Sequence, residues 1–295
     1  MDVLSDVVAS VRTGLPHSAR SAKRAPWGGW FRASPAAGFH VMLAGTGWLV
    51  PPAGEPVPLG PGDVVFTPKG SAHGLTDDPS RPLESYEQVV LNEVTAAADD
   101  GADAVTLCGA YRTDRSRSHP LLDDLPEIIH LPAGHPRLQA ATGLLAAELE
   151  RPGPGTDAAV PALLDTLLLF ILRAWYEEQP GTGWAGALGD PGVSAALRAM
   201  HDDIAKPWTV EELGKTAGLS RAAFARRFAT LVGRPPLGYL TWWRLTTAAR
   251  ILTREDAPLA AIAKRVGYAS EYAFANAFKR EFGTPPGRYR TLHRP

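Results

Sequence analysis

Two different spacings of hydrophobic residues divide the chain. Up to about residue 119, apolar residues form short runs separated by glycine- and proline-rich turns, as in residues 40–43 and 48–50, which flank an Ala-Gly-Thr-Gly turn. This pattern predicts short β-strands. Beyond that point apolar residues recur every three or four positions, which is the spacing of amphipathic helices. By this criterion we predict three long helices, at residues 136–150, 160–176 and 237–252.

The first part of the chain is predicted to be α+β. Further candidate strands are residues 64–66, 85–92 and 104–107. Short strands at regular spacing are typical of a small β-barrel or sandwich, which we place at about residues 1–119, with helices trailing at about 121–179. The apolar stripe of the 160–176 helix is wide, and it either packs within its own domain or forms the seam of a dimer.

The last hundred residues carry two short helical units of one design. Thr209 and Glu212 form a capping box that predicts a helix start, and a second helix is predicted to begin after Ser220. The unit recurs with Ser270 as the cap. In each unit a glycine ends the first helix and phenylalanines four residues apart line the second, which is typical of a helix-turn-helix. These residues are Gly218, Phe224 and Phe228 in the first unit, and Gly267, Phe274 and Phe278 in the second.

A glycine- and proline-rich segment predicts the domain boundary. We place a linker at residues 181–192, between a domain at 1–180 and an all-helical domain at 193–295. The charge changes sign at the same place: residues 1–192 contain 13 basic and 23 acidic side chains, and residues 193–295 contain 17 basic and 8 acidic ones. The basic C-terminal module indicates a polyanionic partner.

Composition excludes several classes of protein. The chain has 295 residues, 45% of them hydrophobic and 21% charged, which argues against a fibrous or mainly disordered protein. The single cysteine, Cys108, excludes an internal disulfide and fits a reducing compartment. The N-terminal residues lack the basic and apolar regions of a signal peptide, and the apolar run at residues 163–176 is short for a membrane span and interrupted by charges. We therefore expect a cytoplasmic protein without a membrane partner.

Residues 267–290 (GYASEYAFANAFKREFGTPPGRYR) closely resemble the C-terminal signature of AraC/XylS-family transcription regulators. The match rests on the Gly-Tyr turn, the aromatic spacing and the Phe-Gly-x-x-Pro tail. Residues 213–228, followed by Gly-x-x-Pro, resemble the family's first helix-turn-helix. The resemblance implies a sequence-specific regulator, an activator or a repressor, that binds double-stranded operator DNA as a homodimer. An activator would also contact RNA polymerase.

The outward faces of the second helix in each unit are the candidate DNA readers. Helical periodicity places on these faces Arg221, Ala222, Ala225 and Arg226, with Arg227 at the margin, and Glu271, Tyr272, Ala275, Asn276 and Lys279. The resemblance implies that Ala222, Ala225, Arg226, Glu271, Tyr272 and Asn276 point into the major groove. An arginine fork pairs with guanine and an asparagine amide with adenine. Other cations either contact phosphates or stay solvated: Arg244, Arg250, Lys264, Arg265 and Arg280.

The first region carries a second resemblance. The spacing G-x5-P-x-G-x2-H at residues 62–73 matches the second cupin motif, and His40 lies in a strand similar to the first motif. The region resembles the cupin sensory domains found in front of many AraC-type regulators, and residues 108–126 resemble the end of one such subgroup. This implies that a small-molecule effector binds near His40 and His73.

A metal-dependent cupin enzyme with a DNA-binding appendage is the rival hypothesis. Such enzymes typically use a His-x-His pair, a glutamate and a further histidine, but here Thr46 and Gly47 stand where the glutamate is expected. Two histidines are too few for a catalytic metal site. His40 and His73 either hold a weakly bound divalent metal, with Asp77 or an outside ligand, or hydrogen-bond inside the barrel mouth. We expect no enzyme activity, and the basic C-terminal charge disfavours an adaptor that acts through protein contacts alone.

Cys108 is a candidate redox sensor. A lone buried cysteine is most often a small hydrophobic residue. An adduct, a sulfenic acid or an intermolecular disulfide requires a stabilised thiolate, which Arg112, four residues further on, can provide. The signal is therefore expected to be a small molecule or an oxidant.

Overall fold

The computed structural model describes residues 3–11, 17–85, 101–111 and 119–293, and its chain divides into two compact units. The sheet unit comprises Arg12–Arg115 and Leu125–Glu178, and the helical unit comprises Met1–Val11, Ser116–Asp124 and Gln179–Pro295. The chain therefore crosses between the units four times. The sequence predicted one crossing, at residues 181–192, because short segments carry no compositional signal for the unit they join.

The described part of the sheet unit is built from nine short strands, all paired antiparallel with their sheet neighbours. They are β1 (His17–Lys23), β2 (Gly28–Phe31), β3 (Ala37–Ala44), β4 (Gly47–Val50), β5 (Val57–Leu59), β6 (Val64–Thr67), β7 (His73–Thr76), β8 (Ala104–Tyr111) and β9 (Ile129–Leu131). One sheet has the order β1-β8-β3-β6-β9, and the other has the order β2-β7-β4-β5. Sequence spacing predicted the strand-rich region, and the pairing adds the order.

The core of the sheet unit lies between these two sheets. Met42 and Val65 come from the five-stranded sheet and pack with Leu49, Leu59 and Leu75 from the four-stranded one. Two sheets that share one apolar core form a sandwich. The expectation of a barrel is corrected here, because the two sheets do not close into a barrel in the residues that the structure describes.

Two predicted segments differ from the structure. Residues 121–179 were expected to be helical, but β9 lies within them and pairs with β6. Its buried Ile129 and Leu131 alternate with the half-buried His130, and three residues are too few for a period of two to be recognised. The strand predicted at residues 85–92 falls almost wholly outside the described residues, where only Ser85 is seen, bridged to Trp30.

The helices α3 (Pro136–Glu150) and α4 (Thr156–Glu178) complete the sheet unit and pack against each other. α4 also contacts β9, and the Tyr111 hydroxyl donates to the Leu164 carbonyl over 2.8 Å. By length and composition alone, α4 is long and apolar enough to cross a membrane. One such helix is weak support for a membrane protein, because the core helices of soluble proteins pass the same test.

The described part of the helical unit contains ten helices. They are α1 (Val3–Val11), α2 (Pro120–Asp123), α5 (Gly183–Gly189), α6 (Pro191–Asp202), α7 (Val210–Thr216), α8 (Arg221–Val232), α9 (Pro236–Arg254), α10 (Leu259–Arg265), α11 (Glu271–Phe282) and α12 (Pro286–His293). α9 runs between the two helix-turn-helix units, as its apolar spacing predicted. α1 packs against α6 and α9, so the N-terminal residues belong to this unit.

The predicted linker at residues 181–192 is corrected by the structure, because most of it is helical. α5 packs against α8, and Trp184 is only 3% exposed. Asp190 then caps α6 by accepting from the Val193 amide over 2.8 Å. Glycine and proline suggested a flexible loop, but the buried tryptophan binds the segment to the helical unit.

Both helix-turn-helix units begin and end their helices at the predicted residues. The Thr209–Glu212 capping box is present, and the Ser220 and Ser270 hydroxyls accept from the third residue of α8 and α11. Two features of the turn at Gly267 require glycine, its backbone conformation and its close approach to a neighbouring carbonyl. Its φ is +79°, and a Cβ there would lie 2.7 Å from the Ala205 carbonyl oxygen.

Candidate DNA interface and effector site

The outer face of α8 is exposed and basic. The predicted reader residues on this face are Arg221, Ala222, Ala225 and Arg226. Three of them are exposed and Ala225 is half-buried, while the opposite face buries Phe224 and Phe228 completely. The helical period that puts the two phenylalanines in the core thus leaves the predicted readers on the surface.

The outer face of α11 is exposed in the same way but carries different chemistry. The predicted readers on it are Glu271, Tyr272, Asn276 and Lys279, all of them exposed. Tyr272 is 79% exposed, which is unusual for a large aromatic side chain in a unit with a well-packed core. Ala275 is half-buried. The face therefore offers a ring, an amide, a carboxylate and an ammonium group to a partner.

Several other basic side chains of the helical unit are committed to the fold. Arg227 forms an ion pair with Asp190, the cap of α6. Arg244 donates to the Ile204 and Lys206 carbonyls over 2.8 and 2.7 Å and so holds the loop after α6. Arg265 pairs with Glu255 through both of its terminal nitrogens. Arg226 has no such partner among the residues that the structure describes. Charge pairing thus separates Arg226 from Arg227, which the sequence left as neighbouring candidates.

In the sheet unit, the structure brings together three residues that the sequence named for separate reasons. His40 on β3 contacts Cys108 on β8, with 2.9 Å between His40 Nδ1 and Cys108 Sγ. The His73 and His40 Nε2 atoms are 2.8 Å apart. Strand register explains the first contact, because His40 and Cys108 are direct partners in the β3–β8 pair. The predicted effector residues and the predicted redox residue therefore form one cluster.

The hydrogen bonds of this cluster define its protonation. His73 Nδ1 lies 2.8 Å from the Ser71 carbonyl oxygen, which can only accept, so Nδ1 carries the proton. His73 Nε2 then accepts from His40 Nε2, and His40 Nδ1 is left to accept from the Cys108 thiol. Every donor has an acceptor with both imidazoles neutral and the sulfur protonated.

Burial favours these neutral forms. Removal from water lowers the pKa of His40 well below its usual value, with the nearby His73 and Lys23 acting in the same direction. Burial also lowers the pKa of His73, although its bond to Ser71 opposes this. Burial raises the pKa of the Cys108 thiol, and the positive charge of Lys23 opposes the rise. The resting cluster is therefore a thiol–imidazole pair, not a thiolate–imidazolium pair. Arg112, proposed from the sequence as the stabilising charge, lies outside the described residues.

The cluster does not fit a metal ion. Cys108 and His73 contact opposite ring nitrogens of His40, so the three side chains do not point at a common centre. The described residues contain no group of three or more His, Cys, Asp or Glu side chains with the geometry of a metal site. Asp77, the suggested third ligand, accepts from the Trp27 amide over 3.2 Å and pairs with Arg81. In this arrangement the cluster therefore offers no metal-binding site.

Phe31 is a member of this cluster that sequence analysis missed. Its ring stacks on His73 with centroids 5.1 Å apart and also contacts His40 at 4.6 Å. Phe31 lies on β2, which pairs with β7, and it is opposite His73 in that register. Only knowledge of the strand pairing could have found it, because no sequence motif joins the two positions.

Comparison with known families agrees with this architecture. Residues 2–177 match the family model described as a cupin, and residues 213–291 match the one described as a helix-turn-helix domain. A putative AraC-like transcription regulator of Streptomyces lividans is 36% identical over 98% of both chains. The chain belongs to the AraC-like transcription regulators. Both resemblances inferred from the sequence are thereby confirmed, as is the α+β and all-α division of the fold.

Two further relatives give the family its biochemical context. The RCS-specific HTH-type transcriptional activator RclR of Escherichia coli (strain K12) is 34% identical over 85% of this chain and 83% of its own. The DNA-binding domain of AdpA, a global transcriptional factor solved with a target DNA, is 32% identical. It covers 35% of this chain and 92% of its own, with a TM-score of 0.34. Membership of the family and the helix-turn-helix match show that this regulator binds DNA through its helical domain, and its cupin domain suggests a ligand-sensing role.

Proposed function

We propose that this regulator reads operator sequence with the outer faces of α8 and α11 and receives its signal at the His40–His73–Cys108 cluster. The exposure of both reader faces carries the first part of the proposal. On each helix the phenylalanines hold the buried face, so the remaining face is free to enter a groove. Two such helices, joined by α9, suit successive major grooves about 34 Å apart on one side of the DNA.

The signal site is proposed from the chemistry of the cluster. A buried thiol that donates to an imidazole becomes a nucleophilic thiolate as soon as the proton moves to the ring. The two histidines can also hydrogen-bond a small ligand, and Phe31 can offer it a ring face. Such a ligand would replace the hydrogen bond between His40 and His73. Oxidation breaks the hydrogen bond between Cys108 and His40, and a ligand breaks the one between His40 and His73, so the cluster responds to a small molecule or to an oxidant.

The remaining attributes follow from this role. We propose that the protein works in the bacterial cytoplasm as a homodimer and contacts RNA polymerase where it activates transcription. We also propose that it is not an enzyme, since the cluster is fully hydrogen-bonded and does not converge on a metal or on a reacting atom. The family's regulators support this assignment without excluding an activity in the cupin domain.

Selection of DNA ligands tests the reading of sequence. The purified full chain is incubated with random double-stranded DNA, and the bound molecules are sequenced at two salt concentrations. A common motif should emerge, with affinity that falls steeply as salt rises because counterions are released from the phosphates. Binding without any enriched motif would contradict sequence-specific recognition.

Two substitutions test the signal site in one reporter assay. His73→Ala removes the bond to His40 but keeps the thiol, and Cys108→Ser removes the thiol but keeps both histidines. If the signal is a ligand, His73→Ala abolishes the transcriptional response, and if it is an oxidant, Cys108→Ser does. A normal response in both variants would place the signal site elsewhere.

A further inference from the structure

A continuous chain of hydrogen bonds is buried inside the helical unit. Asp6 Oδ2 lies 2.8 Å from His201 Nδ1, and His201 Nε2 lies 2.8 Å from the Tyr239 hydroxyl. The same hydroxyl lies 3.0 Å from His119 Nε2. His119 Nδ1 in turn accepts from the Leu121 amide over 3.1 Å. Three segments thus meet at one tyrosine hydroxyl, and a fourth, which carries Asp6, joins them through His201.

These contacts allow one direction of proton donation. Because the Leu121 amide donates to His119 Nδ1, the neutral ring carries its proton on Nε2 and donates to Tyr239. The tyrosine hydroxyl then donates to His201 Nε2, and His201 Nδ1 donates to the Asp6 carboxylate. Each bond is satisfied in the same direction and the series ends on a negative charge. We call these four side chains, Asp6, His201, Tyr239 and His119, the relay.

The relay is enclosed by aromatic rings. His119 is fully buried, with its ring edge-on to Trp184 and Trp242 at centroid distances of 4.9 and 5.0 Å. His201 stacks on Trp243 at 4.2 Å. A polar series in such surroundings has no access to water, so a member that loses its partner stays unsatisfied. Loss of one hydrogen bond therefore weakens the whole relay, and with it the contacts between the four segments.

Two of the four segments are the direct continuations of one strand pair in the sheet unit. α1, which carries Asp6, comes directly before β1 in the order of elements. β8 ends at Tyr111, and His119 lies eight residues further along the chain. β1 and β8 are antiparallel partners, and His17 at the start of β1 pairs with Ala110 near the end of β8. Both connections to the relay thus leave the same end of the same strand pair.

The signal cluster lies on that strand pair. Cys108 pairs with Ala19 of β1 on one side and with His40 of β3 on the other. Cys108 therefore lies on the strand pair from whose one end the chain leads, in both directions, to relay residues. The relay contacts α6 through His201 and α9 through Tyr239, and both helices pack against α8.

We propose that the relay is the coupling element through which the cupin domain controls the first helix-turn-helix. This inference rests on the proposed function, since it assumes that a change at the cluster alters DNA binding. Breaking or straining the relay releases α1 and the segment at residues 119–124 from α6 and α9, and thereby changes how α8 is held. The relay residues are positioning residues, because none of them lies on the proposed DNA-reading faces.

Tyr239→Phe in the full chain tests the proposal. The ring remains in the aromatic core, while the hydroxyl that joins His119 to His201 is lost. Tyr289→Phe is the matched control, because it removes the hydroxyl of another buried tyrosine of the helical unit that lies outside the relay. Asp6→Asn, which removes the charge at the end of the relay, is the second variant should Tyr239→Phe fold poorly.

The signal is imitated with methyl methanethiosulfonate, which transfers a methylthio group to sulfur. Cys108 is the single cysteine, so labelling is confined to the cluster. Labelling should change the affinity of the wild type for its selected DNA by about 5-fold or more, which is the low end of typical allosteric coupling. In Tyr239→Phe the labelled and unlabelled proteins should bind DNA alike, whereas Tyr289→Phe should respond as the wild type does.

The outcomes separate the relay from the signal site. An equal response to labelling in the wild type and in Tyr239→Phe overturns the relay and leaves the cluster as the signal site. If labelling changes the DNA affinity of no variant, the cluster is not the signal site. Amide hydrogen exchange then tests the relay by itself. Tyr239→Phe should then speed exchange in α1 and α8 roughly 10-fold and leave α11 unchanged. Unchanged exchange in α1 and α8 overturns the proposal.

Discussion

The two helix-turn-helix units have the same internal design but different surroundings. In both, a serine caps the second helix, a glycine with positive φ follows it, and two phenylalanines fill the space against the first helix. The first unit is packed against α5 and α6 as well as α9. The second unit packs mainly against α9 and the terminal helix α12, and its Gly267 turn also lies against Ala205 in the loop after α6.

The chemistry of the two environments differs as well. The second unit is closed by an apolar cluster in which the tilted and edge-on rings of Phe278, Phe282 and Tyr289 contact one another at centroid distances of 4.6 to 5.4 Å. The first unit is bordered by the relay and by the Arg227–Asp190 ion pair. The energy of an apolar cluster depends mainly on the area it buries and little on the orientation of its rings. A series of hydrogen bonds depends on the distance and angle of every bond, so a small movement weakens it. On the proposals made above, we expect the second unit to be a fixed reader and the first to be the one whose position the rest of the chain changes.

Core truncations should expose the difference most strongly. Phe224→Ala and Phe274→Ala each remove a fully buried ring and should cost about 3–5 kcal/mol of stability. Phe274→Ala should speed amide exchange in α10, α11 and α12 while α5, α6 and α1 stay protected. Phe224→Ala should open α7 and α8 together with α5 and α6. If both variants open the whole helical unit to the same degree, the two surroundings are not energetically distinct.

Neighbouring arginines on α8 provide an intermediate effect. Arg226→Ala should cost about 1–3 kcal/mol of DNA-binding energy and relax preference at one base position, because a bidentate contact to guanine is lost. Arg227→Ala is the control, since that side chain pairs with Asp190 and should leave sequence preference unchanged. Binding-site selection with each variant makes the measurement. Equal relaxation of preference by both substitutions would show that the ion pair does not distinguish them.

Acidification should have the smallest effect and, of the two helix-turn-helix units, should act on the first alone. Burial, with the charges of His201 and Arg234, holds the pKa of His119 well below its usual 6.5. The neutral ring therefore stabilises the fold fully above pH 6.5, and this stability is lost as the pH falls from 6.5 toward the lowered pKa. Exchange corrected for intrinsic rate should rise in α1 and α6 between about pH 7 and 5.5.

The second unit serves as the internal control for this pH effect. Its only described histidine is the exposed His293, which stacks on Tyr289. Exchange in α11 should therefore remain constant over the same range. A parallel rise in α11 would show that acid acts on the whole helical unit and not through His119.

The elements of the helical domain could be predicted closely from the sequence because their signals are local. The Thr209–Glu212 capping box, the Ser220 and Ser270 caps and the glycine turns each act within four residues, and all are present. The reader faces follow from the same helical period. Their predicted contacts with DNA remain predictions.

The contacts that join distant segments could not be predicted in this way. His40 meets Cys108 through strand register, and His119 meets Tyr239 across 120 residues of sequence. No spacing encodes either contact, because each depends on which elements pair. The prediction for residues 181–192 differed from the structure for a related reason. The glycines of this segment suggested a linker, whereas the burial of Trp184 depends on tertiary packing.

The most direct test of the account is binding-site selection with Arg226→Ala and Asn276→Ala, each made in the full chain. If α8 and α11 enter successive major grooves, each variant should lose preference at a separate position, and the two positions should lie about one helical turn of DNA apart. Each variant should lose about 1–3 kcal/mol of binding energy, while preference at the position read by the intact unit is retained. Uniform weakening across all DNA sequences in both variants, with the selected motif unchanged, would contradict recognition by these two faces.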